Sequence, residues 1–267
     1  MKRDFIQYLA GAATGVLLAS TAASAADLAP VPAPLPPPPF VWTGFELGAQ
    51  VGGAAGRTSL SLFDTFNFSD SYSSTGVFGG LHVGFNYQLM GPLVVGVQGE
   101  YNFAGVTGNA SSFPFNYLTT SVREFGSADA RIGVAFDRLL VYAIGGFAYG
   151  DIRNEINYQG AQSVVGLLGF PVTRGFAANR YGFDVGGGLE YNFWGNWTAR
   201  AEYRYYDFGR LGFADAGFNG VLFGAGGVPA LVTIAIPNHT SRETMQTGRL
   251  GLTYKFAWPS SPVVARY

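Results

Sequence analysis

Full charges make up only 12% of this chain, and a set of them recurs at every second position beside glycines. Glu46, Glu100, Asp129, Asp184, Glu190 and Glu202 are placed this way, as are Arg131, Arg200, Arg204, Arg249 and Lys255, with His82 in the same phase. The chemistry such a set supports is mutual neutralisation in a narrow enclosed space, because a lone buried charge costs several kcal/mol and a paired one does not. Two uses follow from it: an ion path, or a structural plug of paired charges. A second set could do nucleophilic chemistry on acyl chains: His239 lies beside Thr240 and Ser241, with Asp215 and Glu243 in or next to the same loop. That chemistry needs the imidazole within hydrogen-bond reach of a hydroxyl. Gly186, Gly187 and Gly188 are not followed by Lys, so they do not form a phosphate-binding loop. There is no cysteine, hence no disulfide framework and no thiolate-held metal. No cofactor is expected and no metal site. A net charge of −1 argues against a nucleic-acid partner.

The elements that position these charges alternate with a period of two, the signature of strands. In the hairpin 180–208, Tyr181, Phe183, Val185, Leu189, Tyr191 and Phe193 point one way, and Asp184, Glu190 and the glycines point the other. The second arm sets Trp197, Ala199, Ala201, Tyr203 and Tyr205 against Thr198, Arg200, Glu202 and Arg204. A soluble sandwich would place Lys and Ser on its wet face. Glycine beside Asp, Glu and Arg, opposite a wall of aromatics, is instead the pattern of a barrel with its apolar face in lipid and its charges in the lumen.

Further strands are predicted at 42–53, 77–89, 93–103, 122–136, 139–149 and 245–256, the phase of 139–149 being obscured by its nearly unbroken apolar run. Each covers about 9–13 residues, enough to cross a thin bilayer at a tilt of about 45°. The three connections 90–92, 137–138 and 194–196 are tight, while 54–76, 104–121, 150–179 and 209–242 are long. Tight and long alternate, so the fold class predicted is an all-β, eight-stranded antiparallel transmembrane barrel with periplasmic turns, extracellular loops and both termini periplasmic. Aromatics should form two girdles: Trp42, Tyr87, Phe136, Phe193, Trp197 and Phe256 on the turn side, and Tyr101, Phe103, Tyr149, Tyr181 and Tyr203 on the loop side. Loop arithmetic sets Phe193 opposite Trp197, Glu190 opposite Arg200 and His82 opposite Glu100, with the last two pairs expected to touch in the lumen. An eight-stranded barrel is just wide enough for side chains to fill, which excludes large solutes.

Residues 1–25 read as a cleavable signal peptide, with Lys2 and Arg3, an apolar stretch over 9–23 and the small-residue site Ala23-Ser24-Ala25. Residues 26–41 are a Pro-rich periplasmic spacer, 42–256 the barrel and 257–267 a C-terminal extension. No later stretch has the roughly twenty apolar residues a spanning helix needs. The long connections hold Phe63, Phe66 and Phe68, then apolar runs at 164–172 and 228–236. Leu231, Thr233 and Ala235 alternate and suggest strand extension; partner docking through the loops is the other reading.

The small-residue leader site, the Pro-rich spacer and the segments WTGFELGAQVGG, GGLHVGFNYQ, VYAIGGFAYG and TGRLGLTYKF resemble the porin-like, immunogenic surface-antigen family of small outer-membrane barrels. The resemblance runs from Trp42 to Phe256. It implies residence in the bacterial outer membrane, contact with its lipid and lipopolysaccharide, and insertion by the outer-membrane assembly machinery. It also implies a structural role in the envelope with at most small-solute passage. Alternatives are a surface adhesin or antigen that meets a host or surface ligand through its loops, and a lipid-modifying hydrolase. Members usually end on an aromatic closing the last strand; here either Phe256 or the terminal Tyr267 would carry that signal.

Overall fold

The computed structural model describes residues 40–62, 68–112, 115–157, 173–213, 218–223, 229–234 and 239–257. The predicted leader, all of the spacer before Phe40, and the extension beyond Ala257 lie outside the described residues, as do Phe63, Phe66, Asp215, Tyr267 and the run 164–172. Ten strands follow in order: β1 (Gly44–Leu62), β2 (Phe68–Gln88), β3 (Leu93–Ser112), β4 (Phe115–Phe136), β5 (Leu139–Asn157), β6 (Thr173–Trp194), β7 (Trp197–Phe213), β8 (Phe218–Phe223), β9 (Pro229–Ile234) and β10 (His239–Ala257). Eight close an antiparallel barrel in the order β1-β10-β7-β6-β5-β4-β3-β2, and β8 with β9 forms a separate two-stranded sheet. Among the described residues no helix is long and apolar enough to cross a membrane; strands make the crossing.

Alternation sorts the two faces as the period of two requires. Phe45, Leu47, Val51, Leu81, Val83, Val97, Ile132, Phe183, Val185, Leu250 and Leu252 are exposed on the outside, while Glu46, Gln50, His82, Asn86, Gln98 and Thr253 are buried inside. The tight turns lie together at one end. Asp137 (φ 53°), Gly91 (φ 74°) and Gly195 (φ 51°) supply the left-handed residues that such short reversals need. The turns are tied to neighbouring strands by backbone bonds, Asn192 N–H to Arg138 O and Lys255 N–H to Asn196 O, each at 2.8 Å.

Four expectations are corrected. The barrel strands run 17–22 residues, well past the predicted 9–13, so much of the loop length is ladder. For example, β1 and β2 stay in register to Leu62–Phe68. Ser, Thr and Asn replace the aromatic alternation there, which hides the strands although these residues pair well. Second, Pro229–Ile234 is a strand, but it pairs with Phe218–Phe223 rather than extending a barrel strand. Third, Trp197 faces Trp194, not Phe193, because the turn has two residues and a bulge between Asn192 and Trp194 absorbs the extra one. That bulge restores the predicted pairing of Glu190 with Arg200 further up. Fourth, Trp42 is fully buried and belongs to no girdle, and Tyr203, paired with Gly187 and with Gly248 in the middle of β10, lies below the loop-side one; the other nine predicted aromatics face outward or are half-buried.

Candidate functional site

Every candidate charge sits inside the barrel: Glu46, His82, Glu100, Asp129, Arg131, Asp184, Glu190, Arg200, Glu202, Arg204, Arg249 and Lys255 are all buried. They form stacked layers rather than a file. Nearest the turns, Glu46 and Glu190 share two cations: Arg131 lies 3.1 Å from each, and Lys255 lies 2.9 Å from Glu46 and 3.5 Å from Glu190. Asn86 donates to Glu46 at 2.6 Å and accepts from Arg131 at 2.7 Å, while Thr198 donates to Glu190 at 2.8 Å. In the middle, Arg200 donates to Gln98 and Gln50, and Gln50 passes the chain to Glu100 and Asn102. Toward the loops, Arg249 holds both oxygens of Glu100 at 2.6 Å. Arg204 sits amid four carboxylates, those of Asp129, Glu202, Asp184 and Glu100, at 2.5, 2.5, 3.0 and 3.4 Å.

Two expected contacts are not formed. Glu190 and Arg200 are directly opposite in register, and so are His82 and Glu100. Yet Glu190 bonds Arg131 and Lys255, and His82 Nε2 meets Thr253 Oγ1 at 2.9 Å. In a barrel this narrow a long side chain reaches past the adjacent strand to the next one, as Glu190 does to β4 and β10 and His82 to β10, so strand neighbours are not obligatory partners.

Apolar layers bound the charges on both sides. At the turn end Trp42 packs with Val94, Ala135, Leu140, Tyr142 and Ile144. Its indole donates to Asp137 O at 3.1 Å and its ring lies 4.7 Å beneath the Lys255 ammonium. On the loop side Phe78, Phe125, Tyr206, Phe208 and Met245 form a septum. Phe78 and Phe125 meet edge to face at 5.1 Å, and Phe125 and Tyr206 at 5.4 Å. The phenols of Tyr206 and Tyr142 point back into the charge layer, onto Glu100 at 2.9 Å and Glu202 at 2.8 Å.

Above the septum a polar cap joins Thr58, Tyr72, Thr120, Asn154, Arg180, Ser241 and Glu243. Thr58 donates to Glu243 at 2.7 Å, Arg180 to Ser241 at 3.1 Å and Thr120 to Asn154 at 2.6 Å. Of the predicted hydrolytic set, the structure brings Ser241 and Glu243 together at 3.2 Å inside this cap. His239 opens β10, its side chain and Asp215 lying outside the described ones.

Sequence reasoning missed the two apolar layers and the polar cap. Their signal was parity: Phe78, Tyr206 and Met245 share the phase of the lumen charges on their own strands, and β5 lines the lumen through Leu140, Tyr142, Ile144, Ala148 and Ile152.

A closed barrel with an even number of strands, lipid-compatible outside and polar within, having tight turns at one end and long connections at the other, is a transmembrane barrel of the outer-membrane type. The family model described as outer membrane protein beta-barrel domain matches residues 13–227, and the chain belongs to that family. The 31 kDa outer-membrane immunogenic protein of Brucella melitensis biotype 1 is 31% identical over 254 residues, covering 89% of this chain and 95% of that one. The 22 kDa outer membrane protein of Rhizobium leguminosarum bv. viciae is 26% identical over 167 residues, 62% of this chain and 64% of its own. Among solved structures, OprG of Pseudomonas aeruginosa aligns over 81% of this chain and 98% of its own at 10% identity, with a TM-score of 0.42. The protein resides in the bacterial outer membrane.

Proposed function

We propose that this protein is a sealed structural barrel of the outer membrane, contributing to the envelope and displaying its loops as a surface antigen, with no open path for ions. The observation that carries this reading is the interior stack. Charges neutralise one another between the Trp42 layer and the Phe78–Phe125–Tyr206 septum, and ions would have to break both. The immunogenic character named for the Brucella relative agrees with surface display. Planar-bilayer recording of the refolded chain should be silent at high salt. Steady channels whose conductance changes in Arg200→Ala would overturn the seal in favour of small-solute passage.

A second reading, recognition through the loops, is favoured by the β8–β9 hairpin, which is built from the last long connection and stands apart from the barrel ladder. Replacing residues 214–238 with a short Gly-Ser link should leave heat-modifiable gel mobility unchanged, since the barrel closes without them. The same change should abolish most binding of whole-cell antisera or host-cell surfaces. Undiminished binding would remove this reading.

A further inference from the structure

The outer wall carries a charge asymmetry that the lumen does not explain. On three adjacent strands Arg57, Arg242 and Arg210 are exposed at the loop end. Arg242 pairs in register with both Arg210 and Ser59, and Arg57 with Thr244 one step lower. Arg242 is bonded to Asp207 at 2.5 Å, and Arg57 donates to Ser71 at 2.9 Å. Among the described side chains this leaves two guanidinium charges in excess on that wall. On the β4–β5 wall the outward charges lean the other way: Arg153 pairs with Asp151 at 3.5 Å, and Arg123 is outnumbered by Glu124 and Glu155.

Below the arginines, an apolar depression crosses the lipid-facing surface over β6, β7 and β10. Its floor is Gly187, Ala201 and Gly248 and its sides include Leu189, Tyr203 and Leu250. A second depression at Gly53, Ala55 and Gln246 continues it upward toward Arg57. Two residues along a tilted strand climb about 5 Å. Arg57 therefore stands about 10 Å above the Tyr203–Gly248 pair and Arg210–Arg242 about 15 Å above it, which is headgroup height. Because the tight turns mark the periplasmic end, this is the outer leaflet, whose lipid is lipopolysaccharide.

We propose that Arg57, Arg210 and Arg242 with the groove beneath them form a binding site for one lipopolysaccharide molecule, the arginines taking lipid A phosphates and the groove an acyl chain. Guanidinium forks bind phosphate bidentately. Their spread over two heights suits a headgroup with more than one phosphate, and open space at Gly248 admits a chain flush against the wall. The site stands whether or not the lumen conducts.

The test titrates the refolded full chain in neutral detergent with bis-phosphorylated lipid A, the same lipid A stripped of its phosphates, and phosphatidylglycerol, read by native mass spectrometry. Bis-phosphorylated lipid A should bind tightest. Arg57→Gln with Arg210→Gln, which spares the Arg242–Asp207 pair, should weaken it about 30-fold, the effect of two surface charges. Gly248→Trp, which fills the groove, should weaken lipid A while leaving its preference over the stripped form. Unchanged affinity in the arginine variant, equal binding of stripped lipid A, or phosphatidylglycerol binding as tightly would each overturn the site. The wild-type lipid comparison decides the matter even if a variant fails to fold.

Discussion

Arg204→Met is expected to lower the urea midpoint of the refolded barrel at neutral pH more than the loss of any other single lumen charge. Arg204 is fully buried and is the only residue in ion-pair range of four carboxylates among those described, Glu100, Asp129, Asp184 and Glu202. Breaking one buried pair costs about 3–5 kcal/mol, because the surviving charge is left desolvated and unpaired. Here Glu100 keeps Arg249 at 2.6 Å, and Glu202 keeps Tyr142 and a longer approach to Arg249 at 3.6 Å. Among the described side chains Asp129 keeps the Ser127 hydroxyl at 2.7 Å but no cation, and no other cation pairs with Asp184. The cost should therefore concentrate on the two aspartates. Adding Asp129→Asn and Asp184→Asn to Arg204→Met should recover most of the loss, since neutral amides need no counter-ion. A triple variant no more stable than Arg204→Met alone would mean that the guanidinium acts by filling space rather than by neutralising charge. Tryptophan fluorescence in a urea series distinguishes the two.

This dependence shows what could and could not be read from the residues alone. The side of the wall on which Arg204, Asp129 and Asp184 fall follows from parity, and parity is fixed once one face must meet lipid. The tight turns at Gly91, Asp137 and Gly195 then set the registers, which is why Glu190–Arg200 and His82–Glu100 stand opposite each other as loop arithmetic requires. Partner choice did not follow. Inside a narrow barrel a long side chain can pass over the next strand or cross the axis, so Glu190 on β6 reaches past β5 to Arg131 on β4, while its register partner Arg200 crosses to Gln98 on β3. Trp42 was also opaque, because an aromatic just before the first strand reads equally as girdle or as stopper. Its burial depends on an acceptor, Asp137 O, 95 residues away. Strand ends toward the loops were lost for a different reason. Thr58, Thr120, Asn154 and Ser241 hydrogen-bond inside the wall, yet with no lipid outside there is no aromatic counter-face to betray the alternation.

The second large effect is steric. Gly146→Val is expected to prevent barrel closure, so that the unboiled protein migrates with the unfolded form on a semi-native gel. Gly146 lies on β5 directly between Asp129 of β4 and Asp184 of β6, facing the lumen where those carboxylates converge on Arg204. A Cβ there would clash with Ala128 O and lie 2.7 Å from Asp129 Cα and 2.8 Å from Asp129 Oδ1. The first two are backbone atoms in the neighbouring ladder, so relief means moving a strand rather than rotating a side chain. Overpacking of an ordinary core costs about 1–3 kcal/mol; here the ladder and the charge layer are disturbed together, so the loss should exceed that range. Gly186 repeats the device one strand on, since a Cβ there would meet Arg204 Cγ at 2.8 Å. The control is Gly99→Val on the lipid-facing side of β3, where an added Cβ meets only Ser127 O at 3.9 Å. That variant should fold like the parent, within about 0.5 kcal/mol, because a branched side chain suits an outward strand position. Were Gly146→Val to fold as well as Gly99→Val, the lumen glycines would not be what makes room for the charges, and the packed interior on which the seal rests would have slack.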